Sequence, residues 1–292
     1  MAPDGALRGC ATVAAIGANY LWLAVMSRRF LQFDCEGARL LGTLAHAEGT
    51  AGLLIVSGGN ETRSGPFASQ ASLAREIKRR GYPVFRFDRR GVGDSEGENR
   101  GFRSSAADLA TALEAFRQAC PQMKRVVAYG NCDAASALML QGGAGCDALV
   151  LSNPWTFDEE DAVAPVHAPQ AVRSRYARKL RQASEWQRLL TGGVSLRKLI
   201  EGLRTAMVRT SSQSDLVAAM QDAMASYNGS VLMLVSGLDR TGQAFRSAWR
   251  GRGKIVVLER ADHAFSESAD RMRLEDLIGS TLDEQARQLD VG

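Results

Sequence analysis

Three side chains of this sequence, a thiol, an imidazole and a carboxylate, could together carry out nucleophilic attack on a carbonyl. The thiol is Cys132, in Val126-Val127-Ala128-Tyr129-Gly130-Asn131-Cys132-Asp133-Ala134-Ala135. A β-branched run leads into Gly-x-Cys-x-Ala and helix formers follow, so Cys132 falls at a sharp strand-to-helix turn. Such a turn needs small residues two before and two after the nucleophile, because larger side chains would collide with neighbouring strands; Gly130 and Ala134 meet that demand. The helix that follows points its positive N-terminal end at the sulfur, which favours a thiolate. The amide of Asp133 is then placed as one donor to an oxyanion. By itself Gly-x-Cys-x-Ala also reads as a buried, inert cysteine. What favours the nucleophile is its place between an expected helix and an expected strand.

The chain holds only three histidines. His263, in Ala261-Asp262-His263-Ala264-Phe265, lies just after the last expected strand. Asp239, in Ser236-Gly237-Leu238-Asp239, lies just after the preceding one. Cys132, Asp239 and His263 therefore run in the order nucleophile, acid, base. In these roles His263 takes the thiol proton or pairs with the thiolate, and Asp239 orients the imidazole. Asp239 as a plain turn residue is the alternative. Asp262 is a rival acid, but adjacent residues rarely orient each other's side chains. His46 reads as structural. His167 reads as exposed and, with Trp155 and Arg63, is a candidate substrate-binding residue.

Ser57-Gly58-Gly59-Asn60 follows an early strand. A backbone N–H in that loop, of Gly59 or Asn60, is the candidate second oxyanion donor, since glycine lets the backbone approach a substrate. Arg63, Arg86, Arg89 and Arg90 surround the same strand ends. They could meet an anionic group on a substrate or pair with Asp88, Asp94 or Asp133. Arg173, Arg175, Arg178, Lys179 and Arg181 form a basic run that reads as a solvated helix face.

These residues must be positioned by the elements around them. From residue 30 strands and helices alternate: strands at RFLQFDCEG and ARLLGTLAHA joined at Glu36–Gly37, a strand from Ala51, a helix over 66–80 stopped by Gly81, PVFRFD, a glycine-rich loop from Arg90, a helix over 104–119 opened by Ser104–Ser105, then the Cys132 strand and helix and DALVLSNPW. Residues 156–228 carry no convincing strand, and the alternation returns with SVLMLVSG, TGQAFRSAWRG, KIVVLERADH and a closing helix over 269–288. This pattern predicts an α/β fold with a mainly parallel central sheet and helices on both faces. The core is expected over 30–155 and 229–290. A helical lid insertion is expected over 156–228, at the carboxyl edge of the sheet where ligands bind in such folds.

The 292 residues are 45% apolar and 23% charged, which supports a sizeable core and argues against global disorder. Thirty-six basic against 32 acidic residues is too small an excess to imply nucleic-acid binding. Five cysteines without a CxxC pair or metal spacing suggest neither a disulfide framework nor a metal site, and fit a cytoplasmic setting. The uncharged apolar run 9–25, in an N-terminal extension over 1–29, allows three readings: a start called too early with Met26 as the true first residue, a membrane or signal segment that would anchor or export the protein, or an ordinary helix.

The stretch GGNETRSGPFASQASLAREIKRRGYPVFRFDRRGVGDSEGE, followed by YGNCDAASALML and LVLSNPW, resembles the exosortase A system-associated hydrolases of the first type. These are α/β-hydrolase-fold proteins of bacteria with exopolysaccharide and protein-sorting loci, and the resemblance spans roughly residues 30–290. It rests most on Cys-Asp-Ala-Ala after the elbow glycine and on Asn-Pro-Trp. It implies the α/β-hydrolase fold and a triad of Cys132, Asp239 and His263. The cysteine is also similar to that of dienelactone hydrolases. The chain departs from the family at Gly59-Asn60, where Gly-Pro-Gln is expected.

The expected function is a Cys-dependent acyl hydrolase for an ester or thioester, with no cofactor and no metal. The expected partner is a small acyl substrate rather than nucleic acid; membrane association and subunit number stay open. An acyltransferase on the same site, or a non-catalytic binding protein, are the alternatives. Asp133 argues for the last, since a carboxylate beside the thiol opposes thiolate formation.

Overall fold

The computed structural model describes residues 28–157 and 210–290. The apolar run 9–25, His167, the basic run from Arg173 and most of the expected insertion lie outside the described residues. The chain forms two compact units, one holding the residues up to Ala128 and from Glu275 onward, the other Tyr129–Leu274.

The first unit begins with a hairpin of Arg29–Cys35 (β1) and Ala38–Ala45 (β2). Glu36 and Gly37 join them with φ of 53° and 82°, the left-handed pair that a two-residue hairpin requires. Ala51–Val56 (β3) is buried along its whole length, as its unbroken apolar run predicts. Ser69–Arg79 (α1), Val84–Phe87 (β4) and Ala106–Ala119 (α2) follow. The strand order is β1-β2-β4-β3. β1 and β4 run antiparallel to β2, and β3 runs parallel to β4. Phe85, Phe87 and Phe116 are fully buried in the core beside Phe33. Each such side chain contributes about 2–3 kcal/mol by leaving water.

Two local expectations change in this unit. The helix predicted over 66–80 is α1 preceded by a separate 3-10 turn, Pro66–Ala68, because Phe67 and Ala68 take positive φ and break the helix. The hydroxyl of Ser105 does not cap α2 but accepts from Nη1 of Arg89 at 3.0 Å. Asp108, in the first turn of α2, is buried against Arg90, whose Nε donates to it at 2.5 Å.

The second unit starts within Arg125–Asn131 (β5) and continues through Asp133–Leu140 (α3) and Ala148–Ser152 (β6). Thr210–Ala225 (α4), Ser230–Ser236 (β7), Arg240–Ala248 (α5), Lys254–Leu258 (β8) and the start of Ser268–Asp290 (α6) complete it. Strand order here is β5-β6-β7-β8, with β6, β7 and β8 mutually parallel. α4 falls in the stretch read as an insertion; it packs against α3 and buries Leu216, Met220 and Met224. Among the described residues no helix is long and apolar enough to cross a membrane.

Candidate active site

The sheet of the second unit carries Cys132, Asp239 and His263 after the ends of β5, β7 and β8. Cys132 follows β5 and starts α3 with φ 59° and ψ −126°, a left-handed conformation that only glycine adopts without strain. Two hydrogen bonds hold it there. The Cys132 N–H donates to the Ser152 carbonyl at 2.9 Å, and the Cys132 carbonyl accepts from the Trp155 N–H at 3.2 Å. Gly130 is required by contact: a Cβ on it would stand 2.8 Å from the backbone carbon of Ala134. Of Cys35, Cys120, Cys132 and Cys146, only Cys132 is not buried.

Asp239 caps α5, its carboxylate accepting from the Gly242 N–H at 2.9 Å. The same oxygen lies 3.0 Å from Nδ1 of His263. Burial would raise the Asp239 pKa, but the hydrogen bonds from His263 and from Gly242 outweigh it and hold the carboxyl below its ordinary range. On His263 the hydrogen bond to Asp239 acts first and that to Cys132 second; against burial, they push the imidazole up from 6.5 to about 10. With Nδ1 committed to Asp239, Nε2 is the nitrogen left for the thiol. The structure thus brings these three side chains into one hydrogen-bonded line.

Asp262 does not compete for this role. Its Oδ1 accepts from the N–H groups of Ala264 and Ser266 at 3.1 and 2.9 Å, a local turn that shapes the His263 loop. The Ser266 amide, chiefly, keeps Asp262 below the ordinary carboxylate range. The Leu238 N–H also donates to the Ala261 carbonyl at 3.0 Å, pinning the two loops together.

Trp155 stands beside the nucleophile through its backbone. Besides its N–H bond to Cys132, its carbonyl accepts from Ser136 Oγ at 2.7 Å. Its ring packs edge-on against Phe157 with centroids 5.2 Å apart.

The remaining candidates belong to the first unit. Gly59 has φ 52°, and its carbonyl accepts from Arg89 Nη2 at 2.7 Å. Asn60 Oδ1 accepts from Asn99 Nδ2 at 2.7 Å. The Arg63 guanidinium pairs with Asp88, with Asp94 at 3.3 Å and with Thr43 at 3.1 Å. His46 lies 3.7 Å from Glu48.

Sequence reasoning missed Asn131, Asn153 and Ser136. Asn131 Nδ2 donates to the His263 carbonyl at 3.1 Å, and fully buried Asn153 lies between Asn131 and Ser236. The only sequence signal for Asn153 is its place between a strand and Pro154.

Three solved structures are similar in fold. The esterase Pf2001 of Pyrococcus furiosus superposes with a TM-score of 0.58 at 14% identity, covering 88% of this chain and 92% of that one. Est1E of Butyrivibrio proteoclasticus, solved with ferulic acid bound, gives 0.58 at 14% identity, covering 87% and 98%. A dienelactone hydrolase of Anabaena variabilis gives 0.57 at 13% identity, covering 88% and 97%. Among curated proteins no sequence matches. The sequence profile of the alpha/beta hydrolase family matches residues 53–273, a span that contains the elbow, Asp239 and His263, and the chain belongs to that family.

Proposed function

We propose that this protein is a cysteine-dependent acyl hydrolase for an ester or thioester, with Cys132 as nucleophile, His263 as acid and then base, and Asp239 as the group that orients His263. One observation carries the reading: a single imidazole hydrogen-bonded to Asp239 at 3.0 Å and, on its other side, to a thiol on a left-handed elbow. With its pKa pushed up to about 10 by the hydrogen bonds to Asp239 and Cys132, His263 holds its proton at neutral pH and stands beside Cys132 as the proton donor of the pair. The thiolate adds to the carbonyl, and the oxyanion rests on the Asp133 amide at the start of α3. His263 protonates the leaving alcohol or thiol, then takes a proton from water as that water attacks the thioester, and free acid leaves. On sequence grounds alone, Gly59 or Asn60 is the second oxyanion donor. Trp155, with Phe157 against it, is proposed to wall the acyl or alcohol side of the substrate. The resemblance of the Cys-Asp-Ala-Ala and Asn-Pro-Trp segments supports a link to exopolysaccharide or exosortase systems.

The test is alkylation with iodoacetamide from about pH 5 to 9, located by mass spectrometry, in the unmodified protein and in His263→Ala. Burial of Cys35, Cys120 and Cys146 by itself makes Cys132 label ahead of these three, so the deciding quantity is its dependence on His263. Fast labelling below neutral pH that disappears in His263→Ala supports the pair and justifies a panel of p-nitrophenyl and acyl-thiol esters. Equal rates in the two proteins overturn it. A second reading, a non-catalytic binder, rests on Asp133, the acidic residue that follows Cys132 in the first turn of α3. Ligand binding that survives Cys132→Ala, with no turnover in the unmodified protein, would favour it.

A further inference from the structure

Cys132, Asp239 and His263 sit on three separate segments, and attack requires their side chains to keep register within a fraction of an ångström. We propose that Asn131 and Asn153 are positioning residues that form a two-amide brace locking the His263 loop to the nucleophile strand and to the strand of Asp239. This rests on the reading of Cys132 and His263 as a functional pair.

The brace is continuous. Asn153, fully buried after β6 with φ 44°, accepts the Ser236 N–H on Oδ1 at 2.8 Å. Its Nδ2 donates to Ser236 Oγ at 3.0 Å and to Asn131 Oδ1 at 3.3 Å. Asn131 Nδ2 then donates to the His263 carbonyl at 3.1 Å. Both amide orientations are forced, because the Ser236 N–H only donates and the His263 carbonyl only accepts. Neither amide can flip without breaking a bond. Ser236 is three residues before Asp239 on the same segment. The brace also reaches the acid's own turn: a Cβ on Gly242, whose N–H binds Asp239, would stand 2.5 Å from Asn153 Oδ1. Thus Asn153 touches the segments of β6, β7 and α5, and Asn131 relays its position to His263 from the residue preceding the nucleophile. Asn153 is fully buried and Asn131 half-buried, and amides bonded on both sides hold one geometry, whereas an apolar replacement would remove the partner of the Ser236 N–H or of the His263 carbonyl.

A merely structural brace would affect melting alone, so the test reads the imidazole. The His263 pKa is measured by NMR titration, and Cys132 alkylation by iodoacetamide at about pH 6, in unmodified protein, Asn131→Ala, Asn131→Gln and Asp239→Asn. In Asn131→Ala the His263 pKa is expected to fall by about one unit and alkylation to slow about tenfold, with partial rescue in Asn131→Gln, which keeps an amide donor. A lower melting temperature with unchanged His263 pKa and alkylation overturns the brace. If Asp239→Asn shifts His263 while Asn131→Ala does not, the pair stands and the brace fails. If neither shifts it, the pair fails and the brace with it. Should Asn131→Ala not fold, Ser236→Ala removes only the Oγ acceptor of Asn153; a smaller shift in the same direction supports the brace, and none overturns it.

Discussion

A Cβ on Gly130 would stand 2.8 Å from the backbone carbon of Ala134, so the end of β5 and the first turn of α3 touch with no room for a side chain. Cys132, between these two residues, takes φ 59°. Two consequences can be measured by urea unfolding. Gly130→Ala is expected to destabilise by about 1–3 kcal/mol, since backbone and not a flexible side chain must yield. Cys132→Gly is expected to be more stable than Cys132→Ala by about 1 kcal/mol or more, because glycine relieves the left-handed strain that alanine keeps. Equal stabilities for the two would show that the elbow is unstrained.

Asp239 is the only carboxylate on the His263 ring among the described residues, with Asp262 spent on the Ala264 and Ser266 amides. Asp239→Asn keeps the side chain's shape but removes the charge that holds the imidazolium. Turnover of p-nitrophenyl acetate is expected to fall about 10³- to 10⁴-fold, mainly in kcat. Asp262→Asn is expected to cost far less, acting through the loop. Equal losses in the two variants would reassign the acid.

The elbow was legible in the sequence because its constraint is local: Gly130, Cys132 and Ala134 are fixed by steric demands within five residues. Asp239 and His263 were legible through position, each directly after a strand whose apolar run is unmistakable. The hairpin at Glu36–Gly37 was legible for the same local reason. What stayed hidden depends on partners far along the chain. Nothing near Arg63 marks it for Asp88, 25 positions on, and nothing near Ser105 says that its hydroxyl will serve Arg89 instead of its own helix. Asn131 and Asn153 read as turn-formers next to a cysteine and a proline. Their amides acquire a role only when β5, β6 and β7 lie side by side.

Trp155 is tied to the elbow by its backbone, so its ring can be removed without moving Cys132. The Trp155 N–H and carbonyl bonds to Cys132 and Ser136 survive truncation. Trp155→Ala is therefore expected to leave p-nitrophenyl acetate turnover nearly unchanged and to raise KM on the order of tenfold for aryl or long-chain acyl esters, which need the aromatic wall. A uniform loss across both substrate classes would place Trp155 in support of the elbow and not in substrate choice.

The paired charges of His263 and Asp239 also tie stability to pH. His263 has its folded pKa raised to about 10 from 6.5, so its contribution is complete below 6.5 and is lost as pH climbs toward 10. Asp239 has its folded pKa lowered from 3.8, so its contribution is present above 3.8 and is lost as pH falls through the folded value. Both are complete only between 3.8 and 6.5. The His263 ring is 42% exposed, so solvent screening reduces the size of the effect but not its sign. The unmodified protein is expected to exceed His263→Gln in unfolding free energy most at about pH 5.5, less at about pH 8 and least at about pH 10. Urea titrations of the two proteins side by side read that difference directly. A gap that stays constant with pH would mean that Asp239 and Cys132 do not raise the proton affinity of the folded imidazole, and the proposed mechanism would lose its imidazolium.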